Sequence, residues 1–177
     1  SIHESQPSPL QNSMSNYKFV RNIGEGYSGT VKLAKQKTEN GDTGKLICMK
    51  IMDKNMLFDE DEQERIQAEK TILQYITDSE FIVRFYNCFV TAREVVFILE
   101  YLPGGNLYTL LERQKHNKLC ESNAKYLAAE ILLGLEYLHQ HCIIYRDLKL
   151  EHIMFDAEGH IKLIDFGFSK ILDHPTD

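Results

Sequence analysis

The chain has 177 residues, 43% of them hydrophobic and 26% charged, with a formal net charge of −6. That length and balance suit one domain with a real core, and the acidic sign argues against binding nucleic acid through bulk charge. No apolar run is long enough to span a membrane, no signal peptide is visible, and the cysteines (Cys48, Cys88, Cys120, Cys142) lack C-x-x-C or zinc spacing, so buried thiols in a reducing, cytoplasmic compartment are expected.

Residues 1–16 are poor in apolar side chains and rich in Ser, Asn, Gln and Pro, and are expected to form a disordered tail. From Tyr17 the pattern alternates. Residues 17–24, 30–37 and 46–52 predict three strands joined by turns, an antiparallel meander. Residues 58–76 predict a helix, with acids from Asp59 to Glu64 at its start and Ile66, Ile72, Leu73 and Ile76 at helical spacing. Residues 81–90 and 94–102 predict two more strands, and Pro103-Gly104-Gly105 is a break. Beyond it come a short helix (106–114), a longer one (122–140) with Ala124, Leu127, Ala128, Ile131, Leu135 and Leu138 on one face, and a hairpin over 152–165. The order predicts an α+β protein of two lobes, 17–101 and 102–177.

Three features carry chemistry. Gly24, Gly26 and Gly29 fit G-x-G-x-x-G, but a strand follows, so the dinucleotide-binding reading fails. What remains is a hairpin whose backbone amides can approach phosphate oxygens. Lys50 interrupts an apolar strand; an edge-strand lysine facing solvent is the bland alternative. Glu69, however, lies in the apolar stripe of the first helix, and an inward acid wants a cation. Asp147 and Asp165 supply the two acids of phosphoryl transfer, one for the substrate hydroxyl proton and one for Mg²⁺.

In order, Gly24-x-Gly26-x-x-Gly29-x-Val31, Lys50, Glu69, Tyr145-Arg146-Asp147-Leu148-Lys149 and Asp165-Phe166-Gly167 resemble the motif set of eukaryotic protein kinases. The variants Tyr145-Arg146-Asp147, Glu100-Tyr101-Leu102-Pro103-Gly104-Gly105 and Phe168-Ser169-Lys170 are similar to the AGC group of Ser/Thr kinases. The resemblance implies a bilobal kinase fold: a sheet lobe with one helix, then a mainly helical lobe. It implies ATP held by Ile23, Gly24, Glu25, Gly26, Tyr27, Ser28, Gly29, Thr30, Val31, Cys48, Lys50, Glu69, Leu99, Glu100 and Leu102. Here Lys50 grips the α- and β-phosphates, Glu69 holds Lys50, Leu99 lines the adenine pocket, and Glu100 and Leu102 offer hinge backbone. Asp147 and Lys149 are the implied catalytic pair, with Lys149 on the γ-phosphate. Asp165 is the implied Mg²⁺ ligand, and Arg146, expected to be buried beside Asp147, would await an activation-loop phosphate.

The pattern departs at His152, where the family has the Asn that ligates a second Mg²⁺; imidazole is a poor Mg²⁺ ligand but a fair one for Mn²⁺. His152 could instead hydrogen-bond Asp147 or simply pack at a strand start. Cys48 stands where Ala is usual, and an apolar strand should leave its thiol inert. Asn106 replaces an acid used on ribose and on a substrate arginine, while Glu151 keeps another acid of that site, so an arginine upstream of the target Ser/Thr is expected. The chain ends a few residues past Asp165-Phe166-Gly167, before the phosphosite region near Thr176, which makes a fragment with exposed apolar faces the expectation. Two readings stay open: a Ser/Thr protein kinase with protein substrates and an upstream activating kinase, or a nucleotide-binding scaffold without robust phosphotransfer.

Overall fold

The computed structural model describes residues 13–26, 29–37, 43–56 and 60–173. Tyr27, Ser28, Thr176 and the first twelve residues of the expected tail lie outside the described residues. Of that tail, Met14–Asn16 forms a single 3₁₀ turn, with the Ser13 hydroxyl accepting from the Ser15 amide. The described residues fall into two compact units, one within Ser1–Leu57 and Tyr86–Tyr101, the other within Phe58–Phe85 and Leu102–Asp177.

The first unit is a five-stranded sheet. Its strands are β1 (Tyr17–Gly26), β2 (Gly29–Lys37), β3 (Thr43–Asp53), β4 (Phe85–Val90) and β5 (Glu94–Glu100), in the order β1-β2-β3-β5-β4. The expected meander is present, since β1, β2 and β3 pair antiparallel in sequence. Period-two alternation then sorts the side chains. Ala34, Ile47, Met49, Ile51, Val96 and Ile98 gather with Phe89 into one buried cluster, and Tyr17 and Tyr86 pack against it. Tyr17 stacks on Phe89 with ring centroids 6.3 Å apart.

The second unit begins with α1 (Glu60–Tyr75), whose first turn carries Glu60, Asp61 and Glu62, as the helix dipole favours. It continues through α2 (Leu107–Glu112), α3 (Glu121–Gln140), a ribbon of β6 (Ile143–Ile144) with β9 (Lys170–Ile171), and a hairpin of β7 (Ile153–Phe155) with β8 (Ile161–Leu163). Leu138, Ile143, Ile161, Leu163 and Phe166 are fully buried and form its core. Asn106 caps α2, its side-chain oxygen accepting from the Thr109 amide at 2.8 Å. The hairpin turn is held by Asp156, whose Oδ1 accepts from the Glu158 and His160 amides at 3.0 and 2.8 Å.

Two expectations are corrected. The strand expected over 81–90 exists only from Phe85. Ile82 instead bridges Leu163 in parallel, and the Val83 amide donates to the Leu163 carbonyl at 3.0 Å. One apolar run serves both units, and an unbroken run cannot show where it changes allegiance. The buried stripe of α3 also differs from the expected face: Ala124 and Ala128 are exposed, while Leu127, Glu130, Gly134 and Leu138 are buried. Glu130 can be there because it is satisfied. Its two oxygens accept from the Ile161 amide at 3.0 Å and meet His160 Nδ1 at 2.6 Å. Gly134 can be there because a Cβ would already lie 3.2 Å from both Leu163 and Phe81.

Candidate active site

In the first unit, strand register places most of the expected nucleotide residues on one face. Gly24 pairs with Val31, Val31 with Lys50, and Lys50 with Phe97. Two residues along, Leu33 pairs with Cys48 and Cys48 with Leu99. Partners in register share a face, and this face is the one opposite the buried cluster. Lys50 is half-buried on β3, the middle strand, so the edge-strand alternative fails. Phe97 on the same row is fully buried and was missed, although alternation from Leu99 marks it.

Other expected members lie elsewhere. Thr30 pairs with Ile51 and Glu100 with Ile47, on the face of the buried cluster, so either would serve through its backbone. Ile23 is half-buried at a register shift between Asn22 and Gly24, and Glu25 is exposed. Gly26 pairs with Gly29. Gly29 is required by the sheet itself, because a Cβ there would lie 1.9 Å from the Ile51 carbonyl oxygen. Gly24 has no such constraint; its Cβ would make ordinary contact with Val31 at 3.5 Å. Burial pushes the Cys48 thiol up to about 11 against a lesser pull from the Lys50 charge, which matches the expectation of an inert thiol.

In the second unit, the loop after β6 and the turn after β8 converge. Lys149 Nζ donates to Asp147 Oδ2 at 2.9 Å. His152 stands between the two acids: Nδ1 is 3.1 Å from the Asp147 carbonyl oxygen and 3.3 Å from Asp147 Oδ2, and Nε2 is 3.6 Å from Asp165 Oδ2. Asp147, Lys149, His152 and Asp165 are thus brought together as expected. Glu69 is buried on α1, and Leu102 is buried just past the end of β5.

Three further side chains hold this loop. Tyr145 is 2% exposed; its hydroxyl donates to the Ile164 carbonyl, and its ring meets Phe166 edge-on at 5.3 Å. Burial, then the charges of Asp165, Asp147 and Glu69, push its phenol far up. Ser169 is buried and donates to the Tyr145 carbonyl at 3.0 Å. Arg146 is not buried as expected. It is exposed, its Nε donates to the Phe168 carbonyl at 2.6 Å, and Arg65 lies over the Phe168 ring at 4.6 Å.

The family model described as the protein kinase domain matches residues 17–177. This chain belongs to the protein kinase family. Mouse protein kinase C eta type is 38% identical to it over 155 residues, 88% of this chain and 22% of that protein. Rabbit protein kinase C zeta type is 36% identical over 157 residues, 89% and 26% of the two chains, and a Drosophila protein kinase C is 36% identical over 162 residues, 92% and 21%. The chain therefore spans about a fifth to a quarter of the length of these curated relatives. They support an AGC-type serine/threonine kinase with the expected α+β fold. The family uses ATP and a divalent metal.

The donor set fits a divalent cation held partly by substrate. Asp165 offers carboxylate oxygen, and Gly167 donates its amide to Oδ1 at 3.3 Å. Among the described residues, no three His, Cys, Asp or Glu side chains are grouped to hold a metal by themselves. Also among them, no helix is long and apolar enough to cross a membrane.

Proposed function

We propose that the kinase phosphorylates Ser/Thr hydroxyls on protein substrates with ATP. The observation that supports this reading is the cluster of Asp147, Lys149, His152 and Asp165 where the loop after β6 meets the turn after β8, with Lys149 2.9 Å from Asp147 and His152 3.3 Å from Asp147 and 3.6 Å from Asp165. Asp147 is the carboxylate that receives or orients the substrate hydroxyl proton; its Oδ2 is fixed by Lys149, and its own backbone carbonyl is held by His152. Lys149 then also faces the transferring phosphoryl group and offsets its charge. Asp165, with phosphate oxygens of ATP, would hold Mg²⁺, which supplies charge neutralisation at the phosphates.

The first unit's residues would bind the rest of the nucleotide. Val31, Cys48 and Leu99 form an apolar strip on the face that also carries Lys50, suited to a purine, and Lys50 serves the α- and β-phosphates. The amides of Gly24, Gly26, Gly29, Thr30 and their neighbours Tyr27 and Ser28 are proposed as phosphate donors. Glu100 would contribute backbone groups to adenine.

A preference for arginine upstream of the target residue is part of this reading. Tyr108 is exposed; a hydrogen bond with Glu112, then the charges of Glu112 and Glu151, push its phenol up. That exposed pair of acids suits a guanidinium. Asn106, expected as a replaced substrate acid, is accounted for as the cap of α2.

The test is phosphotransfer by the full-length protein onto basic Ser/Thr peptides. Asp147→Asn should cut the rate by roughly 10²–10⁴-fold while nucleotide binding persists. Full activity in that variant would overturn the assignment. The scaffold reading draws on His152: if the native protein binds ATP with high affinity but transfers no phosphoryl group with Mg²⁺ or Mn²⁺, the scaffold reading replaces the enzyme reading.

A further inference from the structure

The chain carries a net charge of −6, yet the edge strand β1 and its neighbour β2 hold Lys18, Arg21, Lys32, Lys35 and Lys37 against a single acid, Glu25. Register sorts these bases by face. Lys18 pairs with Lys35 and Lys35 with Leu46; Arg21 pairs with Leu33 and Leu33 with Cys48. The two rows lie on the face opposite the buried cluster, about 6.5–7 Å apart along the strands. Lysines directly opposite one another repel. Among the described residues, no carboxylate pairs with Lys18, Arg21 or Lys35. Lys18 and Arg21 are exposed, Lys35 is half-buried, and Leu46 beside them is exposed. Three cations without a counter-charge thus sit next to an exposed leucine, at a spacing that the strands fix.

We propose that this patch docks an acidic, extended segment of a partner protein, with Asp or Glu at every second residue. An extended chain repeats its side chains on one side every two residues, the interval that separates the Lys18–Lys35 row from the Arg21 row. One carboxylate sits between the two lysines and relieves their repulsion. The next reaches Arg21, whose planar fork matches a carboxylate. The segment is held through its side chains rather than as an added strand, because register shifts at Phe19/Arg21 and Asn22/Gly24 break the free edge of β1.

A lipid surface fits less well. Phe19 is the most exposed apolar side chain of β1, but it pairs with Ala34 on the other face, where Lys32 lies over its ring at 5.6 Å. The ring and the three cations therefore do not share a side on which to meet a layer of headgroups. Exposed charge pairs are individually weak and screened by salt, so the contact is modest and salt-sensitive. It is independent of the nucleotide chemistry, in which none of the three cations takes part.

The experiment measures fluorescence anisotropy of short fluorescein-labelled peptides with the full-length protein. One peptide alternates Glu with Ser, a second spaces the same number of Glu residues three apart, and a third alternates Lys with Ser. The first should bind, the second more weakly and the third not at all. Lys18→Glu puts opposite charges across the strands, so it should melt no lower than the native protein while weakening the first peptide by roughly 10-fold or more. Lys18→Glu combined with Lys35→Glu should shift the preference to the third peptide, a reversal that unfolding cannot produce. Equal binding of the first two peptides, or binding indifferent to Lys18→Glu, would overturn the proposal. So would sedimentation with phosphatidylserine vesicles that Lys18→Glu abolishes while no peptide binds, since the patch would then belong to a lipid surface.

Discussion

The two units place their functional side chains by different physical means. In the first, the strip of Val31, Leu33, Cys48, Lys50, Phe97 and Leu99 comes from strand alternation alone, three neighbouring strands in register with regular backbone. In the second, the acids sit on irregular backbone. Every described non-glycine residue with positive φ lies there, and Cys142, Arg146 and Asp165 bracket the site at 57°, 64° and 61°. Such conformations cost roughly 1–3 kcal/mol each and persist only when their surroundings over-determine them. A face made by periodicity tolerates side-chain change but not backbone crowding. A loop made by strain depends on the side chains that brace it.

The sharpest way to break that contrast is at the glycines of the first unit. A Cβ at position 29 would lie 1.9 Å from the Ile51 carbonyl oxygen and 2.9 Å from the Met52 Cα, so backbone must move. Gly29→Ala should destabilise the protein by about 3 kcal/mol or more, seen as a lower urea midpoint. Gly24→Ala, which meets only Val31 at 3.5 Å, should leave the midpoint within about 1 kcal/mol while weakening ATP binding. If both variants unfold alike, the crowding account of Gly29 is wrong. If Gly24→Ala binds ATP normally, its proposed role is wrong.

The corresponding probe of the second unit is Tyr145→Phe. The change keeps the edge-on contact with Phe166 and deletes only the hydroxyl that donates to Ile164. It leaves a half-buried carbonyl without that donor one residue before Asp165, and should cost about 1 kcal/mol. Because the loss falls at the strained turn, phosphotransfer should drop by more than stability explains. A variant with native activity and native stability would show that the loop does not need this brace.

What was legible in the chain follows the same division. The five strands and three helices were readable because alternation and helical spacing are set by local geometry. The contact of Lys149 with Asp147 was not, because the motif set Lys149 against phosphate rather than against its neighbouring acid. The braces were not readable. Tyr145, Ser169 and Glu130 act through partners such as Ile164 and Ile161, 19 and 31 residues away, and no periodicity encodes such pairings. Arg146 misled because its burial was carried over from the family resemblance, whereas here Arg146 has left-handed backbone and an exposed side chain. Where 81–90 divides was hidden because Ile82 and Val83 are as apolar as the strand that follows.

Smaller still is the pH dependence of the brace between α3 and the hairpin of β7 and β8. Burial pushes Glu130 up, but hydrogen bonds from His160, the Ile161 amide and Tyr126 outweigh it and hold the carboxyl below its ordinary 4.5. His160 is held above its ordinary 6.5 by the hydrogen bond to Glu130, then by the charges of Glu130, Asp156 and Glu80, against a small effect of burial. The signs are opposite. The Glu130 contribution is present above about 4.5 and fades as pH falls through its lowered folded value, whereas that of His160 is present below about 6.5 and fades as pH rises through its raised value. The difference in melting temperature between the native protein and His160→Ala should thus be largest between about pH 4.5 and 6.5. It should be small even there, since His160 is largely in water. A difference that does not vary with pH would mean the pair acts by packing alone.

The smallest expected effect leaves stability untouched and still separates the two units. Cys48 lies on β3, where burial lifts its thiol to about 11, so at pH 8 only about one in a thousand is ionised. Cys120 is exposed at the start of α3, and hydrogen bonds from the Ser122 hydroxyl and then the Asn123 amide lower its pKa. The thiolate is the reacting species, so a maleimide at pH 7.5 should label Cys120 first and Cys48 last, with mass spectrometry giving the order. ATP should leave the rate at Cys120 unchanged and slow whatever labelling Cys48 shows, because Cys48 shares its face with Lys50 and Leu99. Equal rates at the two cysteines would contradict the burial of the strip. A Cys48 rate indifferent to saturating ATP would remove that strip from the nucleotide site while leaving the acids of the second unit in place.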